Sequence, residues 1–204
     1  MRESRTAFNR LLSDIRACRE CAAYLPHGPR PVLQAHPDAK LLIVSQAPGR
    51  RVHESGIPFD DKSGEKLRDW LGIPREAFYD ARRVAIVPMA FCYPGKGTSG
   101  DLPPRRECAP RWHPLLLPRL PHLGLTLAIG GYAIDALLRD RKRATLTETV
   151  RAWREYLDAG ILPLPHPSPR NTAWFIHNPW FEREAIPALR KRVREILAKP
   201  QGGP

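Results

Sequence analysis

No stretch of the 204-residue chain approaches the roughly 18 consecutive apolar residues that cross a bilayer as a helix. The opening Met1-Arg2-Glu3-Ser4-Arg5 leads into no apolar signal core, so a cytoplasmic protein working away from membranes is expected. Cysteine is scarce, four in all, and without a secretory signal these thiols are not expected to pair as disulfides. No internal repeat appears, which excludes solenoids and propellers, and low complexity is confined to the Gly-Gly-Pro tail at 202–204. Two nucleotide-binding signatures are also missing. There is no Gly-x-Gly-x-x-Gly, and the Lys96-Gly97-Thr98 stretch is not a Walker loop because no Gly-Lys-Ser/Thr opens a helix there.

What is present is a folding composition, with 42% hydrophobic and 26% charged residues, in a length that suits one domain over 1–204. Proline is abundant at 23 residues, which implies many stiff loops between short elements. Lys and Arg number 33 against 21 Asp and Glu, a net charge of +12 that points to a polyanionic partner.

Short apolar runs bounded by turn residues predict strands at 41–45, 84–87, 125–129 and 161–164. Helical patterns separate them, at 5–16, 63–71 behind a Ser63 cap, 106–116, 132–138, 147–157 and 179–198, the last kinked or restarted at Pro187. Strands alternating with helices and no hairpin signal predict an α/β fold, a three-layer α/β/α arrangement around a central four-stranded parallel sheet. In such sheets ligands bind beyond the carboxyl ends of the strands. That rule selects three loops.

The first runs from Ser45-Gln46-Ala47-Pro48-Gly49 to Gly56-Ile57-Pro58-Phe59-Asp60-Asp61. Its prolines and glycines form rigid turns whose amides can face a ligand, and Phe59, in a polar stretch, is available to stack on a planar base. The second, from Cys92 to Cys108, is glycine-rich and basic, and Lys96, Arg105 and Arg106 can meet phosphates. The third is His166-Pro167-Ser168-Pro169-Arg170-Asn171, where an imidazole at a strand end can donate to an oxygen that gains negative charge. The cysteines add a fourth feature. Cys18 and Cys21 have two residues between them, and together with Cys92 and Cys108 they make a four-thiolate set suited either to zinc or to an iron–sulfur cluster.

Taken in order, Cys18 and Cys21, Gln46-Ala47-Pro48-Gly49, Gly56-Ile57-Pro58-Phe59, Cys92 and Cys108, and His166-Pro167-Ser168 resemble the uracil-DNA glycosylase superfamily, most closely its iron–sulfur-containing branch. The resemblance extends from about Cys18 to Leu197. It implies a monofunctional hydrolase that excises uracil from DNA in base excision repair, a monomer acting on uracil-containing DNA. It implies a 4Fe-4S cluster on Cys18, Cys21, Cys92 and Cys108, with zinc as the alternative. His166 would stabilise the departing base, Gln46 would place the attacking water, and Phe59, Ala47 and Ser168 would line the base site. Arg170, Lys96 and Arg105 would contact the DNA.

Two departures bear on activity. The first-motif carboxylate of such proteins is replaced here by Gln46, and the asparagine that reads the uracil edge falls on Pro88. Asp60 and Asn171 are the candidates for the lost edge-reading role. A metal-stapled binder of damaged or abasic DNA without turnover would show the same two losses.

Overall fold

The chain alternates strand and helix from the first buried strand onward, and the alternation dictates the layers. The computed structural model describes residues 2–198, with side chains from residue 5, so the 202–204 tail lies outside the described residues. Helix α1 (Arg2–Arg16) precedes strand β1 (Leu41–Val44), which is followed by α2 (Arg50–Ser55), α3 (Lys62–Leu71) and α4 (Arg75–Tyr79). Strand β2 (Val84–Ile86), helix α5 (Cys108–Leu116), strand β3 (Leu125–Ile129) and helix α6 (Gly131–Leu138) come next. The rest comprises α7 (Leu146–Arg151), α8 (Trp153–Asp158), β4 (Ile161–Leu164), α9 (Thr172–His177) and α10 (Ile186–Ala198).

The four strands form one parallel sheet in the order β2-β1-β3-β4. Successive side chains of a strand face opposite ways, and the core divides accordingly. Leu41 and Ile43 of β1 join Leu125, Leu127 and Ile129 of β3 on one face, under Leu67, Trp70 and Leu71 of α3 and Leu189, Val193 and Ile196 of α10. Leu42 and Val44 face the other layer with Ala85 and Ala128, under Phe8, Leu11, Leu12 and Ile15 of α1, Trp112 and Leu116 of α5, and Ile134 of α6. Both faces of the sheet are therefore dry, as a parallel sheet requires, and the arrangement is the expected α/β/α sandwich. Among the described residues no helix is long and apolar enough to cross a membrane.

Several expected helices change at their ends or divide. Helix α3 begins at Lys62, not behind Ser63, because extended Asp61 places its Oδ1 2.9 Å from the Gly64 amide and caps the first turn. The expected 106–116 helix starts at Cys108. The expected 147–157 helix is two helices parted at Ala152, and Thr145 with Glu148 closes a reciprocal capping box at the start of the first. The 179–198 segment opens with a wide π-type turn over Phe181–Ala185, and α10 restarts with Pro187 in its first turn, where proline costs no hydrogen bond. Helices α2, α4 and α9 carry five or six residues each, too short for periodicity to reveal.

Candidate functional site

Strand β1 is flanked by β2 on one side and β3 on the other, so the connections leaving its carboxyl end diverge and open a crevice. A cavity of about 430 Å³ occupies this position, a size that accepts a nucleotide base. Its walls come from all three loops: Ser45 to Gly49 after β1, Pro88 after β2, Pro58, Phe59 and Asp61 before α3, Ser99 to Asp101 of the long loop, and His166, Ser168, Arg170 and Asn171 after β4.

The first loop is pinned by Met89 and Ala90, whose amides donate to the carbonyls of Ser45 (2.8 Å) and Gln46 (3.1 Å). Gln46 is half-buried, and its Nε2 donates to the Leu102 carbonyl at 3.3 Å, so it ties the first loop to the second. Ala47 lines the cavity beside it.

Phe59 lines the cavity too, but it is not the exposed platform that its polar neighbours implied. It is 9% exposed and belongs to the hydrophobic core, with its ring edge-on to Phe78 at 6.3 Å. Its backbone adopts a positive φ of 54°, unusual for a bulky side chain. The strained peptide is held from three sides. Tyr79 Oη donates to the Phe59 carbonyl at 3.3 Å and Arg68 Nη1 at 3.4 Å, while Gly64 presses so close that a Cβ there would run into the same carbonyl. Burial pushes the Tyr79 phenol above its ordinary range, which keeps it a donor.

His166 stands half-buried at the end of β4, and Asn171 Nδ2 donates to its carbonyl at 2.7 Å, closing the turn. Ser168 caps the short 3₁₀ turn that follows, its Oγ accepting from the Arg170 amide at 3.3 Å. Burial lowers the His166 pKa, opposed by the charges of Asp61 and Asp101, so the ring is neutral near pH 7 and presents an N–H without a full charge. Gly130 stands beside His166 at a φ of 79°, a backbone conformation that side chains rarely adopt.

Not every expected residue reaches the cavity. Asp60 turns outward to Arg75 (3.2 Å) and is absent from the wall, where Asp61 stands instead. Lys96 is exposed and pairs by backbone with Asp101. Arg105 goes elsewhere altogether: its guanidinium lies over the Tyr24 ring (4.4 Å), pairs with Glu107 (2.7 Å) and lines the same recess as Cys21. Arg170 remains at the rim, exposed, against Gly100. Pro88 does line the cavity, and its carbonyl accepts from His113 Nε2 at 3.0 Å. Sequence reasoning missed Asp61 and Asp101. Asp61 differs from Asp60 by one position, which on extended backbone is the difference between two faces, and Asp101 arrives from a loop whose path no local pattern reports.

The four cysteines line a second, largely apolar recess, brought there by the end of α1, the long loop and the start of α5. Burial raises the Cys92 thiol to about 11 and the Cys108 thiol to about 12, and each feels the other cysteines as like charges. At neutral pH such thiols stay protonated, and a metal binding them would displace the proton. Arg105 also lines this recess, and its Nε is buried without a hydrogen-bond partner, an orphan donor that an anionic group in the recess would satisfy. Among the described residues no set of three or more Cys, His, Asp or Glu is drawn together around a single ion. Four thiolates would suit either a tetrahedral zinc or a cluster with one cysteine per iron.

Compared with models of known families, residues 33–190 match the one described as the uracil DNA glycosylase superfamily. The match covers most of the chain and every residue of the cavity wall except Val32.

Proposed function

The chain belongs to the uracil DNA glycosylase superfamily, a family of DNA glycosylases, and from that premise we propose that it removes uracil from DNA as a monofunctional enzyme of base excision repair. The observation that carries the reading is the cavity at the carboxyl ends of β1, β2 and β4, lined by both Phe59 and His166. A base inside a duplex cannot reach such a recess. The nucleotide must rotate out of the stack, at a cost of a few kcal/mol that is smallest for single-stranded or mispaired uracil.

Once the base is seated, breaking its bond to the sugar leaves an electron pair on the ring and negative charge on an exocyclic oxygen. The neutral imidazole of His166 donates to that oxygen, and its surroundings strengthen the bond because little water competes. Phe59, rigid in its strained turn, closes one wall. Asn171 offers the polar edge contact that Pro88 cannot, since proline carries no side-chain donor. Arg170 at the rim grips a phosphate beside the vacated base, and the +12 charge draws the strand in.

The same reading assigns the four cysteines to a 4Fe-4S cluster whose role is to hold the ends of the long loop against α1, with Arg105 donating to it rather than to DNA. Anaerobically purified protein is expected to be brown, with broad visible absorption. Cys108→Ser is expected to bleach it and to expose the long loop to protease, because binding and local folding are coupled. Colourless protein carrying one zinc per chain would refute the cluster.

The excision reading is tested by incubating the protein with uracil-containing and matched thymine-containing oligonucleotides, single- and double-stranded, followed by alkali. Strand scission confined to the uracil substrates is expected. Binding without scission would replace the enzyme with a sensor of damaged DNA.

A further inference from the structure

Water that attacks the sugar must lose a proton, and Gln46 offers no carboxylate to take it. On the reading of the site as a uracil-excising centre, we propose that Asp101 supplies the missing carboxylate and is the general base of the reaction.

Two carboxylates line the cavity, and they are not equivalent. Asp61 is committed to the first turn of α3 through the Gly64 amide. Asp101 is exposed and arrives on the loop between Cys92 and Cys108. Its Oδ1 accepts from Tyr93 Oη at 3.4 Å, a long bond that leaves the carboxylate available, and its Oδ2 lies 3.5 Å from where a Cβ on Gly49 would be. The carboxylate therefore lies against the turn that holds Gln46.

The loop is built to keep it there. Gly97 donates to the Gly100 carbonyl at 2.6 Å and Leu102 to the Gly95 carbonyl at 2.8 Å, which folds residues 95–102 into a tight hairpin. Arg170 packs on Gly100, its Nη1 2.5 Å from where a Cβ would stand, so a side chain at that position would displace the guanidinium from the loop. Gln46 Nε2 donates to the carbonyl of Leu102, the residue next to Asp101. The residue that stands in place of an acid thus fastens the segment that delivers one.

In the reaction the water oxygen bonds to the anomeric carbon of the deoxyribose as the bond from that carbon to the base breaks. The electron pair leaves on uracil, where His166 donates to the charged oxygen, and the water proton passes to the Asp101 carboxylate.

The test is single-turnover excision from a single-stranded uracil oligonucleotide by wild type, Asp101→Asn, Asp101→Ala and Asp61→Asn, alongside affinity for an uncleavable 2′-fluoro-deoxyuridine oligonucleotide and melting of each protein. Both Asp101 variants are expected to lose roughly 100- to 10,000-fold in rate with affinity and melting temperature retained, and added formate should restore part of the rate to Asp101→Ala. Asp61→Asn should melt close to wild type, because an asparagine oxygen accepts the same bond from the Gly64 amide. Near-wild-type excision by Asp101→Asn would overturn the assignment, as would a rate loss that follows weakened affinity or a greater loss in Asp61→Asn. If wild type binds but does not excise, the excision reading itself fails and the role of Asp101 falls with it, an outcome separable because it appears in the wild-type arm.

Discussion

His166→Ala is expected to slow uracil excision by about 100- to 1,000-fold under single-turnover conditions, the loss that follows removal of one preorganised donor from a developing oxyanion. Affinity for uracil-containing DNA should change far less, because the charge that the imidazole meets exists only as the bond breaks. The effect relies on the ring being neutral, and burial in the cavity wall lowers its pKa. The direction also fixes a stability effect. The unfolded chain takes up the proton near the ordinary histidine value of about 6.5, while the folded ring resists it to lower pH, so the contribution of His166 is complete above that value and is lost as pH falls through the folded pKa. His166→Ala should accordingly flatten the acid side of the stability profile, read by thermal melting across pH. Excision by the variant at the wild-type rate would remove His166 from the mechanism.

Gly64→Ala is expected to damage both fold and site. Alanine in a helix normally gains about 1 kcal/mol over glycine, but here the added Cβ would collide with the Phe59 carbonyl oxygen and stand 2.7 Å from its carbonyl carbon. These are backbone atoms, held by Tyr79 and Arg68, so no side-chain rotation relieves the clash. Overpacking of this kind costs about 1–3 kcal/mol, enough to outweigh the helix gain, and any relief must move Phe59 and with it one wall of the cavity. The melting temperature and excision rate should fall together. A variant as stable as wild type, with activity intact, would show that the close approach of α3 to Phe59 does not shape the site.

The layers of the fold were legible because burial on both faces makes each strand a short apolar run, and β1 through β4 lie where such runs predict. The turn carrying His166 was legible for a related reason, since it directly follows a strand that periodicity locates. What escaped was set by contacts distant in sequence. Phe59 looks solvent-facing among Asp60, Asp61 and Pro58, yet Phe78 and the close approach of Gly64 bury it. Arg105 looks like a DNA contact in a basic loop, but the cysteine recess and Tyr24 claim it. Asp101 sits in a glycine-rich stretch without periodicity, and only the bonds that fold 95–102 back on itself and tie Leu102 to Gln46 bring its carboxylate to the cavity.

The central claim is hydrolysis of the bond between uracil and deoxyribose, and the released base is its direct signature. Reaction of the protein with a uracil-containing oligonucleotide in ¹⁸O-labelled water, followed by mass spectrometry, should yield free unlabelled uracil in step with an intact strand bearing one abasic sugar that has gained the label. DNA that remains bound and unaltered, with no free uracil at any protein excess, would contradict it.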